Sequence, residues 1–221
     1  MTYKKLGLIH TSATLVPVFQ KLCAENLQGI EVFNIVDDSL IKDVIAQGKL
    51  TPHTAKRVVD HVAAAAHAGA DYIMVTCSSI GVAVETAASL NQVPVLRVDQ
   101  PMADLAIQTG KKIGVVATLA TTLEPTSDLV KRRSVILGKG IEITSKLCQG
   151  AFEALMNGDS ETHDTIVSSA LKSLAKEVDV ILLAQASMAR VVDTLSEEDK
   201  IVPIISSPPE AMKYLASQLN G

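Results

Sequence analysis

The chain has 221 residues, 48% of them hydrophobic, and a mean hydropathy of +0.28, enough to bury the core of one large or two small domains. A formal charge of -4, a pI near 5.7 and 3% aromatic residues leave no basic stripe and no stacking platform, which argues against nucleic acid as a partner. Apolar runs such as Val178 to Ala186 are too short and too interrupted to cross a bilayer, and Met1 to Lys5 leads into a strand-like segment without a cleavage signature. The expectation is a cytoplasmic protein with no membrane partner.

In chain order, Lys5 to His10 reads as a short buried strand, followed by the polar turn Thr11-Ser12-Ala13-Thr14. Helical spacing then runs from 14 to 26, with Thr14 as a candidate N-cap and Pro17 tolerable only in the first turn. Gly29 to Asn34 predicts a second strand and Asp37 to Ala46 a short helix. Thr51-Pro52 opens a long helix to about Ala68, closed by Gly69, with Ala55, Val58, Val59, Val62 and Ala66 toward the core. The apolar run Asp71 to Thr76 is a strand that ends in Cys77-Ser78-Ser79. A helix from about Gly81 to Leu90 and a strand from Val93 to Val98 follow. Alternating β and α elements of this kind predict a parallel sheet with helices on both faces.

The pattern then repeats. Lys4-Lys5-Leu6-Gly7-Leu8-Ile9 returns as Lys111-Lys112-Ile113-Gly114-Val115-Val116, and Thr14-Leu15-Val16-Pro17 as Thr122-Leu123-Glu124-Pro125. Gly48 with His53 is echoed by Gly158 with His163. Asp71-Tyr72-Ile73-Met74-Val75 returns as Asp179-Val180-Ile181-Leu182-Leu183, and Val93-Pro94-Val95 as Val202-Pro203-Ile204. Five separated landmarks at a nearly constant spacing of about 108 residues imply a duplication. The expected fold is therefore α/β, with two pseudo-symmetric flavodoxin-like lobes of roughly four parallel strands each. Lobe one takes residues 1-98 plus 208-221 and lobe two 99-207, facing one another across a cleft. The repeat aligns Cys77 with Gln185.

Four strand-end turns would line that cleft: residues 10-14, 76-79, 117-122 and 184-188. They supply Thr11, Ser12, Thr14, Ser78, Ser79, Thr118, Thr121, Thr122 and Ser187. Each hydroxyl alone reads as an ordinary turn former or cap, but their clustering at matching turns of both lobes suggests a binding group. Free N-H groups at helix starts favour an anion, and a small carboxylate is the natural guest. No Gly-x-Gly-x-x-Gly or Walker-type loop is present, which argues against dinucleotides and ATP.

Three cysteines, Cys23, Cys77 and Cys148, without a C-x-x-C pair or a histidine cluster at metal-ligand spacing, point to reduced thiols and to no metal site. Cys23 and Cys148 read as packing residues. Cys77, at a strand end amid hydroxyls and ahead of a helix start, stands where a thiol pKa is lowered. His10, at the end of the first strand, is either a second acid/base or a hydrogen-bonded wall histidine. Arg97 and Asp99 read as a structural pair near the junction of the lobes.

Thr76-Cys77-Ser78-Ser79, Ala117-Thr118-x-x-Thr121 and Leu183-Ala184-Gln185-Ala186-Ser187-Met188, in this order across two lobes, resemble the aspartate/glutamate racemase superfamily, with its hydantoin racemases, maleate isomerases and arylmalonate decarboxylases. The resemblance covers essentially the whole chain. It implies cofactor-independent chemistry at a carbon next to a carboxylate or carbonyl, where two cysteines serve opposite faces of that carbon in the racemases. This chain departs from that pattern. Gln185 stands at the second cysteine position and cannot exchange a proton usefully near pH 7. His10 stands where the amino-acid racemases carry an acid, and Ser187 where they carry a histidine.

The resemblance and the residues together suggest a single-thiol isomerase or lyase acting on a small organic acid. Cys77 would be the proton-transfer thiol, with His10 or Gln185 completing the far side and Gln185 serving as a hydrogen-bond donor. A homo-oligomer is expected. The alternatives are a non-catalytic carboxylate-binding protein that kept the fold, and a hydrolase that uses Cys77 as nucleophile with a nearby histidine.

Overall fold

The computed structural model describes residues 4-219. The chain divides into two units, one running to Asp99 and resuming at Pro208, the other spanning Gln100-Ser207. In unit 1, β1 (Lys4–His10), β2 (Ile30–Val36), β3 (Tyr72–Val75) and β4 (Val95–Arg97) form a parallel sheet in the order β2-β1-β3-β4. In unit 2, β5 (Lys112–Ala117), β6 (Glu142–Leu147), β7 (Val180–Leu183) and β8 (Ile204–Ser206) repeat it as β6-β5-β7-β8, again all parallel. Two four-stranded parallel sheets flanked by helices are the α/β architecture the repeat predicts.

The alternation of side chains along each inner strand explains why helices cover both faces. In unit 1, Ile73 and Val75 of β3 pack with Val58 and Val62 of α3 (Pro52–His67) and with Ala83 and Val84 of α4 (Gly81–Ser89). Met74, between them in sequence, points the other way. It joins Leu6 and Leu8 of β1, Phe19 and Cys23 of α1 (Leu15–Asn26), and Met212 and Leu215 of α10 (Ser207–Leu219). The last helix of the chain thus completes the first unit.

Unit 2 is built the same way. Ile181 and Leu183 pack on Val167 and Leu171 of α8 (Ser160–Leu174), while Leu182 faces Met102 and Ala106 of α5 (Gln100–Thr109) and Leu129 of α6 (Ala120–Ile136). The remaining helices are α2 (Ser39–Gln47), α7 (Ala151–Met156) and α9 (Ala189–Thr194). The edge strand β6 keeps Glu142, Thr144, Ser145 and Lys146 exposed, a charged border of the kind that discourages strand addition.

Two local expectations change, and one repeat position diverges. Thr14 precedes α1 but makes no capping bond: its backbone is already helical (φ -65, ψ -19) instead of extended, and its hydroxyl pairs with that of Ser12 at 2.7 Å. The buried face of α3 is Thr54, Val58, Val62 and Ala65, whereas Ala55, Val59 and Ala66 lie at its half-buried flank. Pro17 sits in the first turn of α1, yet its repeat counterpart Pro125 falls inside α6, because that helix already starts at Ala120. Thr51 does cap α3, accepting from the Thr54 N-H at 3.2 Å, and Gly69 closes it at φ +87, a backbone region that favours glycine.

Candidate active site

In unit 1 the site begins where β1 and β3 end side by side. Thr76 and Cys77 follow β3 in extended backbone (Cys77 φ -130, ψ 118), and the chain then tightens into a 3-10 turn, Ser78–Ile80, that runs into α4. Cys77 is half-buried, whereas Thr11, Ser78 and Ser79 are buried around it. The Cys77 sulfur receives hydrogen bonds from the Thr11 hydroxyl, the Ser79 and Ile80 backbone N-H groups and the Ser79 hydroxyl.

Two effects compete at this sulfur. Burial pushes the thiol pKa up, the four donors pull it down, and burial wins. The sequence had suggested a lowered pKa from the strand-end position alone. Cys77 is instead held as a protonated thiol whose conjugate base is already provided with donors. Such a group can release a proton to a carbanion and keep the resulting thiolate stable.

His10 is turned into the wall of unit 1. It has no exposed surface, Nε2 lies 2.9 Å from Asn34 Oδ1, Nδ1 lies 2.9 Å from Thr76 Oγ1, and the ring packs against Phe19 with centroids 5.6 Å apart. With the Asn34 oxygen accepting from Nε2-H, Nδ1 of the neutral ring is an acceptor facing the Thr76 hydroxyl, whose one proton is shared between Nδ1 and the Ile9 carbonyl 3.2 Å away. Burial lowers its pKa, against a smaller raising effect from Asn34. The Cys77 sulfur has no histidine among its hydrogen-bonding partners.

Unit 2 repeats the local geometry with different chemistry. Gln185 follows β7 in the same extended conformation (φ -135, ψ 136) and leads into a 3-10 turn, Ala186–Met188, and then α9. Its Oε1 accepts from the Thr118 backbone N-H at 2.6 Å and from the Thr118 hydroxyl at 2.9 Å. Thr118 occupies in this unit the place of Thr11, so each unit has one threonine directly after its first strand whose hydroxyl reaches the second residue past its third.

The other hydroxyls are less uniform. Thr122 is buried, Ser187 is exposed, and the Thr121 hydroxyl is buried without a hydrogen-bond partner. Ser12 and Thr14 pair with each other at the surface rather than joining the group around Cys77. The structure thus brings together Thr11, Cys77 and Ser79 in one unit and Thr118 and Gln185 in the other.

Sequence reasoning missed two supports. Asn34, which fixes His10, lies in β2 and carries no motif; only the pairing of β1 with β2 brings it near. Gly81, the first residue of α4, lies under the Arg97 guanidinium. A Cβ built there would stand 2.2 Å from Arg97 Cζ and 2.3 Å from Nη2. That guanidinium is buried, bidentate to Asp99 (Nε to Oδ1 3.0 Å, Nη2 to Oδ2 2.8 Å), and also bonded to Glu85. The expected Arg97 and Asp99 pair is therefore present, and it sets the start of the helix that follows the Cys77 turn. Cys23 and Cys148 are buried, each with its thiol pushed up to about 11, first by burial.

Among the described residues no helix is long and apolar enough to cross a membrane, and no three or more His, Cys, Asp or Glu side chains form a group able to hold a metal.

A doubled parallel α/β unit of this kind is the fold of known racemases. The chain matches the structure of an Asp/Glu racemase from Yersinia pestis, described there as putative, at 22% identity and a TM-score of 0.75, covering 99% of this chain and 100% of that one. It matches glutamate racemase from Francisella tularensis in complex with D-glutamate at 15% identity and 0.76, covering 100% and 82%. Allantoin racemase from Klebsiella pneumoniae follows at 17% and 0.65, covering 98% and 88%. At these identities the likeness establishes the fold. A search of curated proteins finds no match. The family description Asp/Glu/Hydantoin racemase fits residues 6-215, and the chain belongs to that family. Its class is that of a racemase- or isomerase-like enzyme.

Proposed function

We propose that the protein is a cofactor-independent isomerase or lyase that acts at the carbon next to the carboxylate or carbonyl of a small organic acid, with Cys77 as the proton-transfer thiol. The observation that carries this reading is the set of four donors converging on a sulfur that burial keeps protonated. The carbanion forms by cleavage of the bond to the departing carboxyl, released as carbon dioxide, or by loss of the α-hydrogen to the thiolate form of Cys77. The proton on Sγ then passes to that carbon, and the electron pair left on sulfur is met by the Thr11 and Ser79 hydroxyls and the Ser79 and Ile80 N-H groups. In the reverse direction the same thiolate removes a proton. Stabilisation of the enolate-like oxygens by fixed donors is what makes so weak a carbon acid reactive.

The chemistry is one-sided. Gln185, the repeat counterpart of Cys77, serves as a hydrogen-bond donor to the acid, since an amide does not carry protons near neutrality. His10, with both nitrogens engaged, holds Thr76 and the end of β3 in place next to Cys77 and is a positioning residue. The hydrolase alternative loses support for the same reason, because no histidine is in hydrogen-bond contact with the Cys77 sulfur.

The test is hydrogen exchange. Small 2-substituted acids, dicarboxylates and hydantoins are incubated with the protein in deuterated water and followed by NMR. Wild type is expected to exchange the α-hydrogen of at least one of them, or to release its carboxyl as carbon dioxide, and Cys77→Ser to slow this by about 100-fold or more. Binding of an acid without exchange or decarboxylation would instead support the rival that the glutamine at position 185 suggests, a carboxylate-binding protein that has lost turnover.

A further inference from the structure

The amide of Gln185 has only one orientation open to it. A backbone N-H can only donate, so the atom 2.6 Å from the Thr118 nitrogen must be the amide oxygen, and the Thr118 hydroxyl at 2.9 Å donates to the same atom. Both acceptor sites of that oxygen are thereby occupied. Nε2 makes no hydrogen bond among the described residues, and the half-buried side chain presents its two N-H donors alone. A free glutamine is chemically ambivalent, able to flip and greet a donor or an acceptor. This one is not.

We infer that Thr118 locks Gln185 into a donor-only state, and that this makes the site selective for acids lacking an α-amino group. A carboxylate, carbonyl or hydroxyl oxygen at this position accepts from Nε2. An ammonium, which has three donors and no acceptor, meets two N-H groups and has nothing to accept its hydrogens. The amide cannot turn its oxygen outward without abandoning both Thr118 bonds, so the mismatch persists. The substrate class that fits is therefore the oxygen-substituted, unsubstituted or carbonyl-bearing acids, not the α-amino acids. Thr118 acts as a positioning residue here, as its counterpart Thr11 does toward Cys77.

This inference rests on the reading of Gln185 as a substrate contact, and matched ligand pairs test it without needing the true substrate. Succinate against aspartate, and glutarate against glutamate, differ only in the α-ammonium. Calorimetric titration of the 221-residue protein should show each deamino acid binding about tenfold or more tightly than its amino partner, the size of one lost hydrogen bond to a charged group.

Three variants sharpen the test. Thr118→Ser keeps both donors and should keep the ratio. Thr118→Val keeps only the backbone N-H and should reduce it to about threefold or less. Gln185→Glu still accepts from Thr118 but offers an oxygen outward, and should invert the preference toward the amino acids. Equal or tighter binding of the amino acids by wild type, an unchanged ratio in Gln185→Glu, or no binding of any of the four acids up to about 10 mM each overturns the inference. Cys77-dependent exchange combined with no discrimination leaves the proposed function standing and removes this specificity. The predicted ratios combined with no exchange do the reverse.

Discussion

Cys77 and His10 sit at neighbouring strand ends, where burial acts on both and shifts their pKa values in opposite directions. The Cys77 thiol is pushed up by burial despite its four donors, so its alkylation rate is expected to rise only at pH values above the usual thiol value of about 8.5. Iodoacetamide labelling followed by mass spectrometry across pH 6 to 10 checks this, and labelling that is complete in minutes at pH 6 contradicts it. The His10 pKa is lowered, first by burial, so the folded state holds a neutral imidazole that the unfolded chain would protonate. The stability this contributes is present above the unfolded value of about 6.5 and is lost as pH falls through it toward the folded one. His10→Gln should cost about 1-3 kcal/mol at pH 7 by leaving Thr76 and Asn34 poorly paired, and should flatten the fall in the urea midpoint between pH 7 and 5. Asp37 marks a separate, more acidic window. Burial raises its pKa, but hydrogen bonds from Ser39, His61 and Arg57 and the Arg57 charge outweigh that and bring it to about 2. Its contribution is present above the unfolded carboxylate value and disappears only as pH falls from there toward 2.

The element whose position matters most is α4, because its approach supplies N-H groups to the Cys77 sulfur. Its first residue, Gly81, carries the Arg97 guanidinium against its Cα, and Asp99 and Glu85, the latter one turn further along α4, hold that guanidinium. A methyl group there cannot be absorbed by a flexible chain end, since the fork is fixed at three nitrogens. Gly81→Ala should destabilise the protein by about 1-3 kcal/mol in urea unfolding. It should also slow Cys77-dependent exchange, because the turn that feeds α4 would have to shift. Arg97→Met leaves Asp99 buried without its partner and should cost more, about 3-5 kcal/mol. A variant ranking in the opposite order would show that Arg97 is not what holds the helix start.

At the scale of the whole molecule, the chain leaves unit 1 after Asp99, builds unit 2, and returns to unit 1 with α10. Leu215 and Met212 on that helix have no exposed surface and join Leu6, Leu8 and Met74 in one of the two unit 1 cores. Leu215→Ala should therefore cost about 2-5 kcal/mol. Truncation before Ser207 should prevent unit 1 from folding, measured by circular dichroism and by loss of protection in hydrogen exchange, although unit 2 keeps all its strands.

Much of this was legible without coordinates. Alternating apolar runs and turn residues are local signals, so the strands and helices up to residue 98 could be read to within about two residues, and the duplication carried the strand pattern into the second half. The position of Cys77 among hydroxyls and its pairing with Gln185 follow from the same repeat. What could not be read was which way the polar groups point. His10 faces the wall because Asn34 lies on β2 and Thr76 directly follows β3, the two strands paired with β1, and Gln185 is donor-only because Thr118 stands at the end of the strand beside it. The protonation of Cys77 is a balance between burial and donors drawn from two strand ends. Sequence periodicity determines which elements form; hydrogen bonds between residues far apart in the chain exist only after the sheets have assembled, and they decided the chemistry.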